Sequence, residues 1–319
     1  MSAPAEQRGV VERTVAQALR EATAALAAAG IERARVEAEI LLAHVLRARR
    51  IDLVASPERV LTGQEAEAFD RLVARRATRY PLPYLTGERE FMGLRFHVNE
   101  HVLIPRPETE VMVEAAIEAL RGWVAAEGEC SQDPELGAPV AIDVGTGSGC
   151  IAISLAHFVP QARVLATDIS PEACAVARLN AARLGVASRV TVYAGDLLEP
   201  LEEVTGAKVP LARRAAVVCA NLPYIPEENL GKLQPEVRDW EPALALGGGP
   251  GGLHVVERFL EQVQSHLRAG GTLFLEIGPE ADQAPRLTAA LGARGRWRDV
   301  RVLRDLAGWP RVVAAIYAA

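Results

Sequence analysis

Four short segments of this chain hold residues that could do chemistry, and their order along the chain is itself informative. Asp143-Val144-Gly145-Thr146-Gly147-Ser148-Gly149 follows a β-branched run and precedes a helical pattern. A glycine turn at that place lets the backbone approach a nucleotide-like ligand at a helix N-terminus. The spacing is G-x-G-x-G, not the G-x-G-x-x-G of a dinucleotide site. Asp168 ends the next apolar run, RVLATD, where a carboxylate can accept from both ribose hydroxyls. Asp196, in AGDLLEPL after a third such run, is placed to receive an adenine amine. Glycine or acidic features at three successive strand ends predict an adenosine-type ligand rather than ordinary turns.

The fourth segment is Asn221-Leu222-Pro223-Tyr224, after the run AAVVCA. Alone it reads equally well as a turn with a packed tyrosine. At the same edge as the three ligand features, it offers an acceptor side chain (Asn221), a backbone carbonyl (Leu222) and an aromatic face (Tyr224). Together these suit a flat group bearing –NH2. An amide nitrogen is a poor nucleophile because resonance spreads its lone pair into the carbonyl. Acceptors that hold both N–H groups out of the amide plane would aim the lone pair in line at the methyl of a sulfonium and favour the charge growing on nitrogen. No metal and no activated Ser, Cys or His is needed for that reaction.

The elements that must position these residues follow from periodicity. VAIDV, RVLATD, RVTVYA, AAVVCAN and GTLFLEIG read as strands, separated by helical patterns at 150–158, 171–184 and 252–268, with WRDVRVL and RVVAAIYAA as two more strands. Such alternation predicts an α/β, doubly wound, mostly parallel sheet. The first eighty or so residues read instead as helices: an Ala-rich segment ending at Gly30, a second over 35–49, and a third opened by Thr62 with Glu65 in a capping box. Prolines, Gly87 and Gly93 then suggest a hairpin-like connector, ending at Pro107 in the first turn of a helix from Glu108 to about Trp123. Residues 125–139 read as a polar loop. The expected division is a helical domain over 1–82, a connector over 83–105 and the α/β domain over 106–319.

Composition narrows the function classes. The chain has 319 residues, 50% hydrophobic and 24% charged, with 35 Lys+Arg against 41 Asp+Glu and a net charge of −6. That balance supplies no basic field for phosphates, so direct nucleic-acid binding is not expected. Cys130, Cys150, Cys174 and Cys219 lack C-x-x-C spacing, and the six histidines are scattered, so neither a disulfide framework nor a metal site is expected. No uncharged apolar run approaches about 18 residues and no leader-like segment is apparent, which points to the cytoplasm and away from membranes.

The segments YLTGEREFMGLRFHVNEHVLIPRPETE, DVGTGSGCIAISLA, ATDISPEACAVARLNA, GDLLEP, NLPYIP and EPALALGGGPGGL closely resemble the release-factor glutamine methyltransferases of bacteria and organelles. The resemblance covers 84 to about 255. It implies a Rossmann-like, seven-stranded class I methyltransferase sheet with an antiparallel last strand, and a small N-terminal helical domain that contacts the substrate protein. It implies S-adenosylmethionine as cofactor, S-adenosylhomocysteine as product, and class 1 peptide chain release factors as partners, methylated on the glutamine of their Gly-Gly-Gln motif in translation termination. By motif match, Gly145, Thr146, Gly147, Ser148, Gly149 and Asp168 would bind the cofactor, with Asp196 and Leu197 beside the adenine. Asn221, Leu222, Pro223 and Tyr224 would hold the glutamine, with Asn221 also near the cofactor, and Arg106 and Glu108 would lie near the pocket mouth. The family usually reads Asn-Pro-Pro-Tyr. Leucine at 222 is similar instead to the adenine dimethyltransferases of ribosomal RNA, which makes an adenine amine of RNA or DNA the alternative acceptor. A non-catalytic nucleotide-binding adaptor is the third reading, disfavoured by Asn221 and Tyr224 beside the ligand turn.

Overall fold

The computed structural model describes residues 13–127, 138–203, 215–278 and 282–318. The chain divides into two compact units, Met1–Gly87 and Glu88–Ala319.

The first unit is helical: α1 (Val15–Ala28), α2 (Ala34–Leu46), α3 (Arg50–Ala55), α4 (Gly63–Ala77) and α5 (Leu82–Thr86). Both long outer helices start where a Thr side chain accepts an N–H three residues on. Thr14 pairs with Gln17 and Thr62 with Glu65, each as a full capping box. Leu19, Leu26, Leu41, Leu42 and Phe69 fill the shared core. The single helix expected over 35–49 is instead broken, because Arg47 takes a left-handed conformation (φ 50°) and α3 restarts at Arg50.

The second unit opens with a hairpin, β1 (Glu88–Phe91) and β2 (Leu94–His97), turned by Met92 and Gly93 at φ 52° and 72°. Two successive positive φ values match the twist of a two-residue hairpin loop. After a single 3-10 turn, Pro107–Thr109, α6 runs over Glu110–Glu127. It therefore starts later than the expected Glu108 and continues beyond Trp123. Of the expected loop over 125–139, residues 128–137 lie outside the described residues, as does Cys130.

Then follow β3 (Val140–Val144), α7 (Cys150–Phe158), β4 (Arg163–Asp168), α8 (Pro171–Arg183), β5 (Val190–Ala194), α9 (Glu199–Glu203) and β6 (Ala215–Ala220). The helix His254–Gln262 precedes β7 (Leu267–Glu276), and the helix Gln283–Ala293 precedes β8 (Trp297–Arg304) and β9 (Pro310–Tyr317). The helix expected over 252–268 is shorter because residues 263–265 tighten to a 3-10 turn and Leu267 already pairs with Ala215 of β6.

The sheet has seven strands in the order β5-β4-β3-β6-β7-β9-β8. β3 to β7 are parallel, and β9 enters antiparallel between β7 and β8. Along each central strand successive side chains go to opposite faces. Ile142, Leu165 and Val218 pack with Phe259 and Leu287 on one face, while Ala141, Val164 and Val217 pack with Met112 and Ile153 on the other. Because the chain winds outward from β3 and returns to β6, those two strands meet at a switch point. In open α/β sheets the crevice beyond the strand carboxyl ends there is where ligands bind. Among the described residues no helix is long and apolar enough to cross a membrane.

Candidate active site

A cleft of about 230 Å³ opens at that switch point, within the second unit. Its first half is the turn after β3. Gly145 N and Thr146 N both donate to the Thr167 carbonyl at 2.9 Å, and Gly147 N donates to Asp168 Oδ2 at 2.8 Å. Gly145, Thr146, Gly147 and Ser148 line the cleft. Gly147 sits at φ 54°, and a Cβ built there meets nothing within 4 Å. A side chain would therefore be strained and would project into open space beside the turn. Gly149 does not line the cleft. Its role is packing, since a Cβ there would lie 2.8 Å from Ile153 Cδ1 and 3.2 Å from Ala177 Cβ.

Asp143 fixes the turn from below. Its Oδ2 accepts from Thr146 Oγ1 at 2.6 Å and from Ala152 N at 3.1 Å, tying the strand to the first turn of α7. Burial pushes its carboxyl up to about 7 against those two bonds. Asn180, fully buried on α8, binds the turn from the side: its Nδ2 donates to Ser148 O and His97 O, and its Oδ1 accepts from His97 N, at 2.8–2.9 Å.

Asp168, at the end of β4, lines the cleft with one bond already on each oxygen: Gly147 N on Oδ2 and Ser170 N on Oδ1. Burial raises its carboxyl above the usual range, and those two N–H donors pull it back. Each oxygen keeps a lone pair for a further donor. Asp196 and Leu197 also line the cleft. Asp196 Oδ2 accepts from Arg258, another lining residue, and the carboxylate holds the guanidinium above its ordinary range. Leu197 is buried at φ 48°, a left-handed position held by packing in the core.

The second half of the cleft is built from distant segments. Asn221, Leu222 and Pro223 line it; Tyr224 and Glu108, both half-buried, do not. Asn221 Nδ2 donates to Thr109 Oγ1 at 3.4 Å. Leu222 is buried behind the glycine turn, where its Cδ2 would come within 3.3 Å of a Cβ at Gly145. The Tyr224 carbonyl accepts from Gln283 Nε2 at 2.8 Å, and Ile225 pairs with the following glycine run, accepting from Gly248 N at 2.9 Å. A Cβ at Gly248 would stand 2.7 Å from Pro223 O, and one at Gly252 would stand 2.3 Å from Tyr224 O. The run GGGPGG is therefore glycine-rich because its backbone lies directly against the Asn221–Tyr224 loop.

Arg106 lines the cleft and pairs with Glu241 at 2.5 Å; the other carboxylate oxygen accepts from Ile104 N at 3.1 Å. Glu241 is only 1% exposed in its side chain. Sequence reasoning missed Glu241, Thr109, Asn180, Arg258 and Glu276. None announces a role by a pattern of its own, although Thr109 lies inside PRPETE, Asn180 inside ATDISPEACAVARLNA, and Glu241 opens EPALAL. Cys150, another cleft residue, is a free thiol that burial pushes up to about 12, which leaves it unreactive at neutral pH.

Residues 141–240 match the family described as "Methyltransferase domain", and residues 17–87 match "PrmC N-terminal domain". The sheet order, the glycine turn and the acidic strand end thus belong to a methyltransferase. The chain is 46% identical to the release factor glutamine methyltransferase of Moorella thermoacetica over 95% of this chain and 98% of that one. It is 38% identical to that of Koribacter versatilis, over 94% and 97%, and 41% identical to that of Chlorobaculum tepidum, over 92% and 93%. This chain belongs to the release factor glutamine methyltransferase family.

Proposed function

We propose that the protein transfers the methyl group of S-adenosylmethionine to the side-chain amide nitrogen of the glutamine in the Gly-Gly-Gln motif of class 1 peptide chain release factors. The observation that carries this reading is the convergence on one cleft of the glycine turn with Asp168 and of Asn221 with its Nδ2 already committed to Thr109. The residues present suit an adenosine cofactor. Gly147 leaves open space where a side chain would stand, Asp168 keeps lone pairs for the ribose, and the buried Thr167 hydroxyl lining the cleft has no partner. Asp196, already paired with Arg258, and Leu197 would flank the adenine.

When bound, S-adenosylmethionine supplies a methyl group on a positively charged sulfur. The rest of the chemistry is positioning. Asn221 Oδ1 and the Leu222 carbonyl would take the two N–H protons of the substrate amide, with Pro223 and the Tyr224 ring along its plane. Holding both protons turns the nitrogen lone pair toward the methyl carbon and favours the positive charge that grows on nitrogen. Leucine at 222 supplies the same backbone carbonyl as the usual proline. Arg106, fixed by Glu241, and Glu108 would border the mouth. The helical unit matched as the PrmC N-terminal domain would recognise the release factor outside its Gly-Gly-Gln loop.

The test is methyl transfer from labelled cofactor with purified release factor, ribosomal RNA and buffer alone. Label on the release factor glutamine is the expected result. Label on RNA would favour the adenine reading, and label on neither acceptor would favour an adaptor.

A further inference from the structure

Glu276 is the last residue of β7, only 2% exposed, and its Oε2 has no hydrogen-bond partner. A buried carboxylate oxygen left unpaired is costly and calls for a reason. Its position supplies one. β6 and β7 run in parallel with Ala220 opposite Leu275, so the next residues, Asn221 and Glu276, emerge side by side at the carboxyl edge. Thr109 completes the group, buried, lining the cleft and receiving Asn221 Nδ2.

We infer that Glu276 is a positioning residue: through Thr109 and directly, it fixes which end of the Asn221 amide faces the substrate. This rests on the function proposed above. An asparagine amide is nearly symmetrical in shape, so only its partners decide where oxygen and nitrogen go. An ionised carboxylate accepts and never donates. Facing Glu276, the Thr109 hydroxyl gives its single proton to the carboxylate and can only accept from Asn221. Asn221 Nδ2 is thereby held on the inner side and Oδ1 is left for the cleft. Were the amide reversed, an –NH2 group would meet the –NH2 of glutamine, donor against donor.

The electrostatics agree with this arrangement. Burial pushes the Glu276 carboxyl up to about 7; hydrogen bonds from Thr109 and Asn221 and the charge of Arg311 pull it down, and Glu108 pushes it up. Arg311 is the cation facing it from β9 and Glu108 the anion from the turn before α6. At neutral pH the carboxylate thus depends on the donors it orients. Protonated, it would donate to Thr109 and release the Asn221 amide.

The deciding experiment uses the full chain, intact release factor, and release factor whose Gly-Gly-Gln glutamine is replaced by glutamate as an inhibitor. Wild-type enzyme that does not methylate release factor defeats the proposed function itself. If it does methylate, E276Q is expected to bind S-adenosylmethionine within twofold of wild type and to lose at least tenfold in kcat. A glutamine at 276 can donate as well as accept, so the Asn221 amide is free to flip. The glutamate-bearing inhibitor, poorly matched to an acceptor, should then gain at least tenfold relative to the KM for the natural substrate. A merely structural role would lower the melting temperature without moving that ratio. Unchanged kcat, or lowered kcat with an unchanged ratio, overturns the inference. Should E276Q fail to fold, T109V and T109S decide: Val should reproduce both effects, and Ser, which keeps the hydroxyl, should restore wild-type values. Equal behaviour of those two variants overturns it as well.

Discussion

The two halves of the cleft are built in opposite ways. The half beside Gly145–Ser148 is local: the turn, its buried anchor Asp143 and its acidic partner Asp168 lie within one strand–helix–strand unit and are joined by backbone N–H groups. The half beside Asn221 is assembled from afar, with Thr109, Gly248, Glu276 and Gln283 supporting a loop of four residues and Glu241 holding Arg106 in the same cleft. A cofactor common to many enzymes can be held by a compact motif. An amide that must be turned to expose its lone pair needs acceptors fixed from several sides, and those can come only from separate elements.

That contrast predicts separable losses. The largest concerns Asp168. D168A removes a charged acceptor from two ribose hydroxyls and also frees Gly147 N and Ser170 N. Charge-assisted bonds are worth roughly 1.5–3 kcal/mol each, so calorimetry should show cofactor affinity lower by at least about a hundredfold. Unchanged affinity would remove Asp168 from the cofactor half.

Next in size, N221A should leave cofactor affinity nearly intact and lower kcat by about two to three orders of magnitude, as loss of a preorganised contact to developing charge does. N221D keeps an acceptor but places a second carboxylate against Glu276 and a Thr109 that already donates its proton. It should do no better than alanine at pH 8. Full recovery in N221D would show that the inner side of Asn221 is not held by a carboxylate.

A smaller effect is expected at the mouth. E241A strands Ile104 N and the Arg106 guanidinium. Leaving such groups unsatisfied costs about 1–3 kcal/mol, here toward the lower end because Arg106 remains partly exposed. Thermal unfolding should report that loss, with KM for the release factor rising more than kcat falls.

The smallest effect is on pH dependence, and its two parts have opposite signs. Asp143 and Glu276 both have folded-state values near 7, above their ordinary carboxyl range. Between about pH 4 and 7 these two groups therefore bind more protons in the folded protein than in the unfolded chain, and their contribution to stability rises as pH falls. Asp168 is raised as well, chiefly by burial, so acid strong enough to protonate it removes the ribose acceptor and weakens cofactor binding. Melting temperature should increase from pH 7.5 to 6.0, and S-adenosylmethionine affinity should decrease once acidification protonates Asp168. A parallel rise of both would mean that Asp168 does not hold the ribose as a carboxylate.

The legibility of each half follows its construction. The glycine turn, Asp168 and Asn221 could be named from the sequence because each sits at a strand end whose apolar run announces it. The seven strands and the capping box formed by Thr62 and Glu65 were visible for the same reason, since period and cap chemistry are local. Gly149, Glu108 and Tyr224 belong to the same motifs, yet they do not line the cleft. A motif records which residues occur together, and the fold assigns some of them to packing, as it does Gly149 against Ala177.

What the amino-acid order determined by itself is the alternation of strands and helices, and with it the edge at which the acidic and amide-bearing residues collect. Only the tertiary structure decided that Glu241 would lock Arg106, that GGGPGG would lie under Asn221–Tyr224, and that Glu276 would stand beside Asn221. Those pairings span 135 residues in one case and depend on strand order, which no local pattern encodes. A buried carboxylate has no periodic signature; its meaning comes from the neighbour that the sheet register places next to it.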